Sequence, residues 1–253
     1  MRNIRLVLEY EGTDFSGWQT QANGRSVQEE VTKVLAQVLQ ESVNLIGAGR
    51  TDAGVHAVGQ AANFRTTSTM ALPALRHALD GLLPSDVAVR AMDEVHSGFH
   101  ARFDATSRSY SYHISTVPSA LQRRFTWHVR HRLDTSAFDR IAPLIAGEHD
   151  FAAFCKSGSD VNHHRCTVMD SVWEGSHETL VYRITANRFL YGMVRALVGT
   201  MVDMARGHIP LSAFGDILAS GDRSRAGGAA PPHGLILESV RYGEMPASPQ
   251  HND

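Results

Sequence analysis

The sequence has few of the features that mark a specialised class of protein. Only two of its 253 residues are cysteine, Cys155 and Cys166, which is too few for a disulfide framework. No apolar run approaches the length of a membrane-spanning helix, and the N-terminus lacks the apolar core of a signal peptide. We therefore expect a cytoplasmic enzyme or binding protein with no membrane partner.

The motifs of several common enzyme chemistries are also missing. The chain has no Gly-x-x-x-x-Gly-Lys phosphate loop, no Gly-x-Gly-x-x-Gly turn and no Gly-x-Ser-x-Gly elbow. Their absence argues against nucleotide hydrolysis, hydride transfer and acyl transfer. The formal net charge of -2 argues mildly against a nucleic-acid binder, but a near-neutral total can hide a basic face.

The predicted elements follow the order β-α-β-β-α-β in the first part of the chain. Ile4, Leu6 and Leu8 alternate with mostly polar neighbours as in a strand, and Ser26 with Glu29 reads as a capping box before a helix. The second part gives a similar order of strand, helix, hairpin, long helix, short helix and last strand. We predict an α+β protein of two ferredoxin-like halves, with antiparallel or mixed sheets and a cleft between them.

The boundary between the two halves is expected near Ala105. An N-terminal half would then cover residues 1–105, a C-terminal half residues 106–245, and a flexible tail residues 246–253.

One carboxylate, Asp52, lies in the glycine-rich stretch "GAGRTDAGVHAVGQAANF" between two predicted strands. A turn aspartate often bonds only its own backbone. A catalytic acid is the alternative, because Arg50 and His56 nearby would hold phosphate and keep the carboxylate ionised. Glycines at 49 and 54 would allow a substrate backbone to approach.

A second candidate is Arg195, in the apolar stretch "RFLYGMVRALVGTMVDMARG" that predicts a long buried helix. Arg188, Gly192, Arg195 and Gly199 would share one face of this helix, and the glycines would let another segment come close. A charge on a buried helix needs a partner. That partner is either a structural acid or Asp52, which Arg195 would hold bidentately.

A third candidate is the strand in "FHARFDATSRSYSYHI". Tyr110 and Tyr112 fall on the same face of it, and Arg102 and Arg108 lie close in sequence. Tyrosines beside arginines are either core residues or a platform on which a nucleotide base stacks.

The residues Cys155, His163, His164 and Cys166 invite a zinc interpretation. Their spacing fits no standard pair of zinc ligands, so we expect no metal.

Five blocks of the sequence together resemble the tRNA pseudouridine synthase A family. They are "YEGTDFSGWQTQANGRSVQEEV", "GRTDAGVHA", "FHARFDATSRSYSY", "RFLYGMVRALVG" and "APPHGLIL", in the family's order along the chain. The resemblance implies an isomerase without a cofactor that converts uridine to pseudouridine at positions 38, 39 and 40 in the anticodon arm of tRNA. It also implies a homodimer in which one tRNA touches both subunits.

The resemblance assigns roles to individual residues. Asp52 is the essential aspartate, Tyr110 stacks on the target base, and Arg195 forms a salt bridge with the aspartate. From the chemistry of the reaction we also expect Tyr110 to receive or relay a proton. Arg50 helps to extrude the base, and Leu235 lines the uracil pocket. Ser109, Ser111 and Ala196 depart from residues that are common in the family, which bears on affinity and substrate range rather than on the reaction.

A flipped-out target base costs a few kcal/mol of stacking, which phosphate contacts can offset. The arginines expected to make such contacts are Arg25, Arg50, Arg102, Arg108 and Arg188. Trp18, in the loop before Arg25, is expected to be a packing anchor. The alternative function is a non-catalytic RNA-binding protein with two ferredoxin-like folds, and a further one is a metal-dependent hydrolase.

Overall fold

The computed structural model describes residues 1–156, 158, 162–176 and 178–243 of the chain. Its internal contacts divide it into two compact units, of which the first holds residues 1–106 and the chain from Leu237, and the second holds residues 107–236. The tail expected over residues 246–253 lies outside the described residues. In the described part, no helix has both the length and the apolar character needed to cross a bilayer.

The first unit contains the predicted β-α-β-β-α-β order. Its elements are β1 (Arg2–Tyr10), α1 (Val27–Leu39), β2 (Ile46–Gly47), β3 (His56–Thr66), α2 (Leu72–Leu82) and β4 (Val87–Val95). Strand β1 pairs antiparallel with both β3 and β4, and the short β2 pairs with β3. The mixture of helices and antiparallel strands confirms the predicted α+β class.

Alternation in β1 places its apolar side chains in the core of the first unit. Ile4, Leu6 and Leu8 are fully buried, as are Val31 and Leu35 on one face of α1. The start of α1 differs from the prediction in one detail. Ser26 occupies the N-cap position, but its side chain makes no capping hydrogen bond, and its buried Oγ has no partner in the described part of the chain.

The second unit is built on a run of antiparallel strands with helices before and after the hairpin. Its elements are β5 (Ala105–Ser115), β6 (Trp127–His128), α3 (Ser136–Ile141), β7 (Gly147–Asp150), β8 (Arg165–Gly175), β9 (Thr179–Ala186), α4 (Met193–Ala205) and α5 (Phe214–Ser220). The strand order is β5-β9-β8-β7, and β6 pairs parallel with β5. The last strand, β10 (Leu235–Tyr242), contributes residues to both units.

The core of the second unit is aromatic. Phe138 of α3 stacks on Trp173 of β8 with ring centroids 4.2 Å apart. Tyr182 of β9 also packs against the Trp173 ring, with centroids 5.1 Å apart. The Trp173 Nε1 donates to the Met201 sulfur of α4 at 3.3 Å. These contacts join both helices to the hairpin.

The long helix is shorter than predicted. Helix α4 begins at Met193, after Gly192 in a left-handed conformation, so Arg188 precedes the helix and does not share a helical face with Arg195. The prediction that another segment approaches the helix at Gly199 is confirmed. A Cβ there would lie 1.8 Å from the Gly228 carbonyl oxygen, so only glycine allows this contact.

Candidate functional site

Asp52 lies in a turn of the first unit, between β2 and β3, that a neighbouring loop braces through its backbone. The Trp18 N–H donates to the Thr51 carbonyl at 3.1 Å, and the Gly54 N–H donates to the Phe15 carbonyl at 3.3 Å. Within the turn, the Val55 N–H donates to the Asp52 carbonyl at 3.2 Å. The backbone on both sides of this half-buried carboxylate is therefore fixed by hydrogen bonds.

Further contacts with Thr51 support the same turn. Tyr10, at the end of β1, shares a hydrogen bond of 2.8 Å with the buried Thr51 hydroxyl. Gly17 has a φ of 101°, and a Cβ on it would lie 2.7 Å from the Thr51 carbonyl oxygen. Glycine is thus required where the bracing loop meets the turn. Trp18 is 2% exposed, which confirms its prediction as a packing anchor.

His56, expected near the substrate, is buried at the start of β3. Its Nδ1 accepts a hydrogen bond from the Gly12 N–H at 2.9 Å and lies 3.7 Å from a Glu11 carboxylate oxygen. An accepting Nδ1 is unprotonated, so this contact requires the Nε2–H tautomer. This geometry gives His56 a place in the bracing of the turn, and contact with a substrate stays a prediction.

The arginines of the first unit differ in their surroundings. Arg50, next to the turn, is exposed. Arg25 is held by Asp86, with Nη–Oδ distances of 2.5 and 3.0 Å, and its guanidinium lies 4.1 Å from the centre of the Phe15 ring. The hydrogen bond with Asp86 raises the pKa of Arg25 above its usual value. A phosphate at Arg25 would have to share the guanidinium with that carboxylate.

Arg102, also in the first unit, is exposed beside Phe103. Its guanidinium carbon lies 5.8 Å from the centre of the Phe103 ring, and that ring is 75% exposed and stacked on His100 at 4.3 Å. The exposed Phe103 ring, which lies beside a cation and stacks on the half-buried His100, is a surface on which an unpaired base can stack.

In the second unit, Tyr110 and Arg108 lie on β5 next to the segment that follows β9. The Tyr110 ring is 9% exposed and meets Phe189 edge to face, with centroids 5.0 Å apart. An Arg108 Nη donates to the Asn187 carbonyl at 2.8 Å. Strand alternation and the contact with Phe189 hold the Tyr110 phenol in one orientation.

Arg195 lies in the first turns of α4, against the glycine-rich segment before β10. Its Nε donates to the Ala230 carbonyl at 2.8 Å, and the Ala230 N–H donates back to the Arg195 carbonyl at 2.9 Å. The close approach at Gly199 lets this segment lie along the helix. The guanidinium is therefore positioned by the backbone that leads to Leu235.

Tyr112, which the sequence placed on the same face of β5 as Tyr110 without a role of its own, also belongs to this group. It is fully buried, its hydroxyl donates to the Pro231 carbonyl at 2.8 Å, and a Cβ on Gly234 would lie 2.7 Å from its ring. Burial raises the pKa of Tyr112 far above its usual value, and the charge of Arg195 opposes that shift. Leu235, which is 6% exposed, is the residue directly after Gly234. Tyr112 therefore packs against the backbone beside Leu235, the residue predicted to line the uracil pocket.

The cysteine and histidine residues do not gather as a metal site. Among the described residues, no group of three or more His, Cys, Asp or Glu side chains is arranged to hold a metal ion. Arg188 instead lies 3.2 Å from the Nε2 of His163. Burial raises the pKa of the Cys166 thiol to about 11, with the Arg188 charge acting in the opposite direction.

The structure thus brings the candidate residues together in two sets. Asp52, Arg50 and His56 belong to one turn of the first unit, while Tyr110, Arg195 and Leu235 belong to the second. The roles of all these residues, and the pairing of Asp52 with Arg195, stay predictions.

Comparison with known proteins identifies close relatives. A model of the tRNA pseudouridine synthase family matches residues 6–104 and 141–243. A protein of Acetivibrio thermocellus named tRNA pseudouridine synthase A is 41% identical over 96% of this chain and 100% of its own length. One of the same name from Chlorobium chlorochromatii is 44% identical, again over 96% of this chain and 100% of its own length.

A more distant likeness is found among solved structures. A chain in the crystal structure of the archaeal box H/ACA sRNP Nop10-Cbf5 complex has a TM-score of 0.41 and 11% identity, covering 95% of this chain and 48% of that one. A likeness at this level carries no argument about function.

Proposed function

This chain belongs to the tRNA pseudouridine synthase family, a family of isomerases, and on that premise we propose that it isomerises uridines 38, 39 and 40 in the anticodon arm of tRNA. The proposal assigns the essential carboxylate to Asp52. Its main support is that Asp52 lies in the block "GRTDAGVHA", within a turn that is braced from both sides by backbone hydrogen bonds. A braced turn holds a reacting group at a fixed position, as catalysis requires.

The reaction is balanced without a redox cofactor. The bond between uracil N1 and the sugar C1′ breaks, the uracil turns, and a new bond joins its C5 to C1′. The proton that leaves C5 is matched by the proton that N1 gains, so neither electrons nor water are exchanged overall. The protein must supply an ionised carboxylate at the sugar and a pocket that retains the freed base.

Asp52 can begin this sequence in three ways. Its carboxylate can attack C1′, remove the 2′ proton of the sugar, or attack the uracil ring. Arg195 would favour the ionised carboxylate in each case. Tyr110 would stack on the uracil and accept or relay the C5 proton at the end. Its packing against Phe189 supports this role, because the ring is already fixed in orientation.

The target uridine must leave its stack to be reached, at a cost of a few kcal/mol. Arg50, Arg102, Arg108 and Arg188 would offset part of this cost by contacting phosphates. Arg25 is proposed for the same purpose, in competition with Asp86. We also propose that the protein acts in the cytoplasm and that it forms a homodimer. Sedimentation equilibrium of the purified protein tests the oligomeric state.

Replacing the essential carboxylate tests the chemistry. Asp52→Asn keeps the size of the side chain and removes the charge, so we expect turnover to fall by a factor of about 10⁴ or more. Binding of tRNA should stay within about threefold, because phosphate contacts supply most of the affinity. The measurement is tritium release from tRNA that carries 5-tritiated uridine, beside a filter-binding assay.

The matched control is Asp80→Asn, which neutralises an exposed acid of α2 in the same unit and should leave turnover unchanged. Retained turnover in Asp52→Asn would remove this residue from the chemistry. Tight tRNA binding without any tritium release by the unaltered protein would instead indicate the non-catalytic RNA-binding alternative.

A further inference from the structure

A long stretch of the second unit carries positive charge without any acid. Residues 107–133 contain five arginines and three histidines and no aspartate or glutamate, although the chain as a whole has 26 acids against 24 lysines and arginines. Most of this charge lies in residues 117–132, which we call the basic arm. The arm falls in the gap between the two stretches that match the family model.

The basic arm is anchored at both ends and in its middle. The Thr116 N–H donates to the Glu178 carbonyl at 3.0 Å, and at the far end the Asp134 N–H donates to the Ala205 carbonyl at 2.9 Å. Between them, β6 pairs with Ile114 and Ser115 of β5, and the Val129 N–H donates to the Ser115 carbonyl at 2.8 Å. Its charged side chains therefore project from a fixed backbone.

Three of the four arginines of the arm are not used in ion pairs within the described part of the chain. Arg123, Arg130 and Arg132 are exposed, and among the described residues none of them has an acidic partner. Other arginines of the second unit do have one, since Arg165 lies 3.0 Å from Glu148 and Arg183 lies 2.9 Å from Glu174. A concentration of unpaired guanidinium groups on an otherwise acidic protein points to an anionic ligand.

The arm also lies beside the candidate residues of its own unit. Trp127 meets the ring of Tyr112 edge to face, with centroids 6.3 Å apart. His233, two residues before Leu235, forms a hydrogen bond with the backbone of Thr126. The arm thus flanks the segment that leads to the proposed uracil pocket.

We propose that the basic arm binds the phosphate backbone of the RNA substrate beside the target nucleotide, mainly through Arg123, Arg130 and Arg132. This inference rests on the proposed function, because it takes the anionic ligand to be tRNA. Guanidinium groups bind phosphate bidentately, and several on one rigid segment match the repeated charges of a nucleic-acid backbone. Such contacts fix the position of the RNA and add affinity without reading its sequence.

The test removes three charges from the arm and three from elsewhere in the same unit. The variant is Arg123→Gln, Arg130→Gln and Arg132→Gln together. The matched control is Arg140→Gln, Arg165→Gln and Arg183→Gln, which changes the net charge equally at exposed positions outside the arm. Both are measured for tRNA dissociation constant between low and high salt, for kcat at saturating tRNA, and for thermal unfolding.

We expect the arm variant to bind tRNA about 10- to 100-fold more weakly at ~0.1 M salt, with a salt dependence reduced by about two to three phosphate contacts. Its kcat should stay within about twofold, since the arm holds no reacting group, and the control should bind like the unaltered protein. A third variant with lysine at the three arm positions keeps the charge and should recover most of the affinity. Because one Arg123 Nη donates to the Ala120 carbonyl at 2.7 Å, the pair Arg130→Gln and Arg132→Gln serves if the triple variant unfolds.

Two failures can be told apart. If the arm variant and the control bind tRNA equally, with equal salt dependence, the arm does not hold the substrate. If the unaltered protein releases no tritium from tRNA, the proposed function fails, whatever the arm variant binds.

Discussion

At the scale of single residues, burial decides the protonation of the side chains around Tyr112. The phenol is kept neutral because its ring is fully buried, and the Arg195 charge only partly opposes this effect. Burial shifts the pKa of His233 in the opposite direction, because it lowers the pKa of an imidazole. The hydrogen bond between His233 and the Thr126 backbone acts against that shift. Neutral forms are therefore favoured at both positions.

The lowered pKa of His233 makes a prediction about stability and pH. In the unfolded chain this histidine takes up a proton near its ordinary pKa of about 6.5, before the folded form does. The unfolded state thus binds more protons as the pH falls below about 6.5, and the folded state loses stability there. His233→Gln removes this contribution, so its free energy of unfolding should fall less than that of the unaltered protein between pH 7 and pH 5.

Urea unfolding at each pH measures this difference, and the exposed His77→Gln is the control. A free energy of unfolding for His233→Gln that falls in parallel with the unaltered protein would contradict the assignment.

At the scale of elements, apolar periodicity predicted which residues are buried better than where each helix begins. The apolar residues from Phe189 to Val202 were expected to be buried, and Leu190, Val198 and Val202 are, whereas Phe189 is half-buried. The helix nevertheless begins at Met193. The prediction placed its start too early because buried apolar residues show the same pattern in a helix and in the irregular segment before it. The two-residue β6 was missed because a pair that short has no periodicity.

The two helices of the second unit that contain glycine give opposite predictions for the same substitution. Gly199→Ala in α4 would place a methyl group 1.8 Å from the backbone oxygen of Gly228, so a rigid neighbour must move. We expect a loss of about 1–3 kcal/mol in the free energy of unfolding. Gly215→Ala in α5 meets no atom within 4 Å, and we expect a gain of about 0.5–1 kcal/mol.

Denaturant unfolding of both variants decides the matter, each serving as the control for the other. An unchanged or higher stability for Gly199→Ala would mean that the segment at Gly228 does not lie against the helix as described.

At the scale of the whole molecule, the net charge of -2 conceals how unevenly charge is distributed. Arginines of the first unit such as Arg5 and Arg25 are paired with Asp93 and Asp86, while Arg130 and Arg132 of the basic arm have no acidic partner in the described part of the chain. A total charge cannot reveal this, although the acid-free run was visible in the sequence.

The residues of the candidate site could be proposed from the sequence, but the contacts that hold them in place could not. The turn with Asp52 could be found because its glycines, arginine and acid are contiguous in sequence. The bracing of that turn by Tyr10, Phe15 and Trp18 could not, because those contacts join residues more than thirty positions apart. The same holds for Tyr112, whose partner Pro231 is 119 positions away.

The most direct test of the proposed function is to map pseudouridine in an unmodified tRNA transcript after incubation with the purified protein. With no cofactor added, the unaltered protein should form pseudouridine at positions 38, 39 or 40 and nowhere else, and Asp52→Asn should form none. Pseudouridine at other positions only, no pseudouridine at all, or equal formation by Asp52→Asn would contradict the account.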